Sequence, residues 1–123
     1  MWDESRDAHR RVYGEGEERH EGKFSHELLG GAAAFEGMKL YEDKQRREGK
    51  VVNHAFAKEL LMGFVGGEVD KLAETKGMDE YDKIEAKRHA ERHAEQMYDD
   101  HYVRGQNADE YDPNRYDAPN FNY

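Results

Sequence analysis

The chain has 123 residues, carries 28 Asp and Glu against 19 Lys and Arg for a formal charge of −9, and is 36% hydrophobic and 38% charged. That length bounds it to one domain, and the low apolar fraction predicts that part of it stays unburied. With no cysteine, a disulfide framework, a thiolate nucleophile and a Cys-ligated zinc or iron–sulfur centre are excluded, and the acidic balance argues against binding driven by nucleic-acid phosphates.

Residues 1–23 are polar, with Gly14, Gly16 and Gly22 among scattered apolar residues such as Trp2, Val12 and Tyr13, which predicts a disordered arm. The opening Met1-Trp2-Asp3-Glu4 is charged from its third residue and lacks the apolar stretch of a signal peptide, so a cytoplasmic location is expected. Ser25 is placed to cap a helix over about 26–48, with Phe24 and Leu29 spaced for a hydrophobic staple and Gly49 as its stop. Asn53 then caps a second helix over about 54–76, closed by Gly77, and Asp79 caps a third over about 80–102, ended by Gly105. These helices make up an expected helical domain over residues 24–103. Residues 104–123 hold both prolines and four asparagines and read as a second disordered segment, rich in tyrosine. No apolar run reaches membrane-spanning length; the best, Leu28–Phe35, is short and rich in Gly and Ala.

Shifted by 32 positions, the chain matches itself at nine of the 18 positions from Glu27/Glu59 to Lys44/Lys76, among them Gly31/Gly63, Glu36/Glu68 and Glu42/Glu74. The fold class expected is therefore all-α: a helical hairpin of two repeat-related helices plus a third long helix, flanked by disordered arms. A glycine inside a helix costs about 1 kcal/mol relative to alanine. Gly30, Ala33, Ala34 and Gly37 nevertheless form a small-residue stripe on the first of these helices, and Gly63 and Gly67 share the i, i+4 spacing on the second. Such stripes predict close helix packing, because without large side chains two backbones can approach. The inward-facing set anticipated includes Leu29, Phe35, Phe56, Leu61, Val65, Tyr81, Ile84 and Met97. This is a thin core for a small domain, and self-association is the expectation that follows.

Few residues can carry chemistry. His89 and His93 stand at i and i+4 with His101 two turns further on, a spacing that suits zinc or copper, although two imidazoles fall short of the three or four protein ligands zinc takes. A solvated face, with ion pairs among Arg88, Glu91, Arg92 and Glu95, accounts for the same histidines. His26 and His54 sit at helix starts, where the positive end of the macrodipole disfavours their charged form and suits them to act as bases. No serine and acid complete a triad with them. Glu36 and Glu68 could meet across the hairpin as paired carboxylates or as ligands for a cation, or pair with their own Lys39 and Lys71. No cofactor is expected.

Over HELLGGAAAFEGMKLYEDKQRREGK, NHAFAKELLMGFVGGEVDKLAETKG and EAKRHAERHAEQMYDDHY, the chain resembles the fungal CipC-like family, the concanamycin-induced protein C group. The likeness runs from Trp2 to Tyr102, and its most specific pieces are AFAKELLMGF and EVDKLAETKG. It implies a small intracellular fungal protein associated with responses to antibiotics and other stresses, and it brings no catalytic residues. A weaker likeness to plant abscisic-acid, stress and ripening proteins rests on Glu27–Phe35 and on His89 and His93, and it hints at zinc. The reading that follows is a non-enzymatic stress or antibiotic-response protein acting as a self-associating or protein-binding helical module. A metal-binding stress protein is the alternative.

Overall fold

A computed structural model describes residues 2–13 and 25–121. It is helical, in the order α1 (Trp2–Tyr13), α2 (His26–Glu48), α3 (His54–Lys76), α4 (Glu80–Tyr98) and a π-helical turn, Asp99–Arg104. Local chemistry sets the ends of the three long helices. Ser25 accepts a hydrogen bond from the Leu28 N–H at 3.0 Å, Asn53 from the Phe56 N–H at 2.7 Å and Asp79 from the Asp82 N–H at 2.8 Å. Each bond satisfies a first-turn donor that has no partner inside its helix. Gly49 and Gly77 end α2 and α3 at φ of 71° and 68°, a left-handed conformation open to glycine without a Cβ penalty.

The second segment is the centre of the molecule, packed against α1, α3 and α4. Its run Leu29–Phe35 is buried on every side, as a helix apolar or small all round must be when neighbours cover each face. Gly30 is where α4 crosses: a Cβ there would stand 2.5 Å from that of His89. Gly37 is where α3 crosses, since a Cβ would meet the Val65 backbone at 2.8 Å. Ala33 and Ala34 are fully buried between these crossings.

Several expectations need correction. Trp2–Tyr13 of the supposed disordered arm is helical, because Ser5, Ala8, His9 and Val12 form one face buried on α2 and Trp2 Nε1–H donates to the Met97 carbonyl at 3.1 Å. The rest of that arm and the Phe24 half of the staple lie outside the described residues. The supposed disordered tail is seated on the bundle, with Tyr111 fully buried and Val52 and Tyr111 exchanging backbone bonds of 3.0 and 2.9 Å. The third helix is α-helical only to Tyr98 before it widens into the π-helical turn. Gly63 and Gly67 face open space, with no atom within 4 Å of an added Cβ, so the two small-residue stripes do not pack on each other. Phe56, Tyr81 and Ile84 are exposed at 47, 65 and 47%. Tyrosines that sequence periodicity does not pick out, Tyr41, Tyr102 and Tyr111, fill the core in their place. Among the described residues no helix is long and apolar enough to cross a membrane.

Candidate functional site

The crossing at Gly30 sets the surroundings of His89 and His93. Because α4 touches the α2 backbone there, Glu27, one turn earlier on α2, comes between the two imidazoles. His93 Nε2–H donates to Glu27 Oε2 at 3.1 Å, and His89 Nδ1 lies 3.7 Å from Glu27 Oε1 while Arg92 reaches the same nitrogen at 3.3 Å. Glu27 was invisible to sequence spacing, since it lies 66 residues from His93. His101 does not join this group: its Nε2–H donates to the Asp117 carbonyl of the tail at 2.7 Å. Among the described residues no group of three or more His, Asp or Glu side chains is gathered to hold a metal ion.

Glu36 and Glu68 are bonded through α1. His9 Nε2–H donates to Glu36 Oε1 and the Tyr13 hydroxyl to Glu68 Oε1, both at 2.7 Å, and the two α1 rings stack with centroids 4.5 Å apart. The anticipated pairing with a neighbouring lysine holds for Glu68, 3.4 Å from Lys71, whereas Lys39 bonds Asp43 at 3.0 Å. The i, i+4 spacing of His9 and Tyr13 is the sequence signal for this pair, masked by the polarity of residues 1–23. Beside Tyr13 lies an open groove of about 340 Å³ lined by Val12, Lys71, Leu72, Thr75 and Lys76.

The two helix-start histidines are likewise committed. His26 Nε2–H donates to Asp82 at 2.8 Å. His54 Nε2–H donates to the Ala108 carbonyl at 2.9 Å, and its Nδ1 shares a hydrogen bond of 2.7 Å with the Tyr98 hydroxyl.

A polar centre that sequence reasoning missed altogether lies at the opposite end of α2. Glu42, 2% exposed, accepts from Arg46 Nε at 2.9 Å, the Tyr102 hydroxyl at 2.7 Å and the Tyr111 hydroxyl at 3.0 Å. Arg46 also donates to the Tyr102 hydroxyl at 2.8 Å and to the Pro113 and Tyr116 carbonyls at 2.8 and 2.9 Å. Burial opposes the Arg46 charge, yet its hydrogen bonds to Tyr102 and Glu42 outweigh that and hold its proton more firmly than usual. The phenols of Tyr41, Tyr98, Tyr102 and Tyr111 are pushed above their ordinary range, in each case chiefly by burial and further by neighbouring charge such as Glu42. They stay neutral, which lets Tyr102 and Tyr111 donate to Glu42.

A protein-family model described as virulence factor CipC-like matches residues 8–101. No curated protein and no solved structure matches the chain.

Proposed function

The chain belongs to the CipC-like family, and we propose that it is a non-enzymatic fungal stress or antibiotic-response protein that works in the cytoplasm as a self-associating or protein-binding helical module. One observation carries this reading: His9, His26, His54, His93 and His101 each bond a residue of another element. The groups able to do acid–base chemistry thus serve cohesion between elements. Val51 and Phe56 beside the start of α3, and Tyr81 and Ile84 at the start of α4, are exposed apolar side chains that a partner would cover. In this reading α2 and α3 are copies of one duplicated helix, the first enclosed by its neighbours and the second left at the surface to make contacts. Sedimentation analysis tests the association: a concentration-dependent rise in mass is expected, and a compact monomer at high micromolar concentration refutes it.

A second reading is zinc or copper binding at His89 and His93, whose i, i+4 spacing on α4 offers two imidazoles to an ion that would take its further ligands from elsewhere. Calorimetric titration should then show one site that the His89→Ala/His93→Ala variant lacks; equal heats for both proteins remove this reading.

A further inference from the structure

The C-terminal segment is held the way a binding groove holds a peptide. Its main-chain oxygens are met by basic side chains of the bundle: Ala108 by His54, Pro113 and Tyr116 by Arg46, Asp117 by His101, and Asn120 by Arg6 at 2.6 Å. Its side chains supply the specificity. Tyr111 enters the core and reaches Glu42, Pro119 is buried, and the Phe121 ring meets Trp2 and Phe35 edge-on at centroid distances of 5.6 and 5.5 Å. Main-chain bonds for affinity and pockets for alternate side chains are the logic of peptide recognition. None of these contacts depends on the segment belonging to the same chain.

The connection feeding this groove is short. Gly105 continues the right-handed turn at φ of −72°, and Asn107 reverses the chain at φ of 52°, the sole non-glycine residue described with positive φ. The left-handed region favours glycine, with asparagine paying less there than other side chains, and a short hinge that holds even this modest cost favours exchange of the element beyond it. Deepening the self-association reading above, and resting on it, we propose that the groove also takes residues 106–121 of a second copy, so that the chain dimerises by exchanging its C-terminal segment. A second copy is the occupant because the groove is already complementary to this segment, hydroxyl for carboxylate and ring for ring, and an exchanged dimer keeps every contact while relaxing Asn107.

Closure within one chain competes through an effective concentration on the order of millimolar, so the hinge decides the balance. Asn107→Pro forbids the positive φ and is expected to tighten dimerisation about tenfold or more; Asn107→Gly, which accepts that φ without strain, is expected to weaken it. The full-length proteins are compared by light scattering after size exclusion, from micromolar to millimolar. Emission from Trp2, the one tryptophan, reports seating of Phe121. Support is an Asn107→Pro dimer with the wild-type emission that Tyr111→Ala, added to it, dissociates. A monomeric Asn107→Pro protein, or a dimer indifferent to Tyr111→Ala, overturns the exchange. If the wild type associates while the hinge and Tyr111 variants leave that association unchanged, self-association stands and exchange falls; if no variant associates even at millimolar concentration, both fall.

Discussion

Helices α2 and α3 have the same length, matching polar N-caps and left-handed glycine ends, yet they occupy opposite situations. Sequence-equivalent residues meet different fates. Glu42 is 2% exposed and holds Arg46, Tyr102 and Tyr111, whereas its equivalent Glu74 faces solvent. Gly31 lies against Ala8 of α1, whereas Gly63 faces open space. Glu36 and Glu68, by contrast, are both bonded by α1, and Leu29 and Leu61 are both buried. The lesson is that a repeated pattern specifies a helix and its apolar side, while the number of neighbours decides whether the other sides are core or surface.

The largest way to break this comparison is to remove the carboxylate on each side. Glu42→Ala should cost about 3 to 5 kcal/mol, because it leaves two buried hydroxyls without their acceptor and the half-buried Arg46 charge without its carboxylate, while Glu74→Ala should stay within about 0.5 kcal/mol. Urea unfolding of both variants measures the contrast, and equal losses would place Glu42 outside the core. Alkali strikes the same α2 centre. Since burial raises the phenols of Tyr41, Tyr98, Tyr102 and Tyr111 above the ordinary 10.0, the folded chain keeps protons that the unfolded chain releases. Stability from these groups is therefore fully present below pH 10 and lost as pH rises above it. The tyrosinate absorbance of these four phenols should accordingly appear together with loss of helical circular dichroism; ionisation of all eight tyrosines in a chain that stays helical would contradict it. The smallest contrast is between glycines. Gly37→Ala drives a methyl into the Val65 backbone and should cost about 1 to 3 kcal/mol. Gly63→Ala, in open space, should stabilise by about 0.5 to 1 kcal/mol through helix propensity alone. Thermal melts separate the two signs.

The candidate site was legible only in part. His89 and His93 stand out by spacing, but Glu27, which gives them a common partner, comes from a helix 66 residues away at His93. Of the Glu42 centre the sequence shows only the i, i+4 spacing of Glu42 and Arg46, because the other partners, Tyr102 and Tyr111, lie 60 and 69 residues along the chain. Polarity hid α1: its buried face is made of Ser5, Ala8, His9 and Val12, too small and polar to register as an apolar stripe until α2 covers it.

By itself the sequence determined where the long helices begin and end, since capping by Ser25, Asn53 and Asp79 and termination at Gly49 and Gly77 use bonds within a few residues. It determined the all-α class and the CipC-like kinship as well. Only the tertiary structure decided that α2 lies at the centre, that Trp2–Tyr13 is a helix and that the C-terminal segment is seated rather than free. Those outcomes rest on contacts between residues distant in the chain, such as Trp2 with Met97 and Arg46 with Tyr116. A contact of that kind exists only once the whole bundle has brought its partners together, so no local pattern records it.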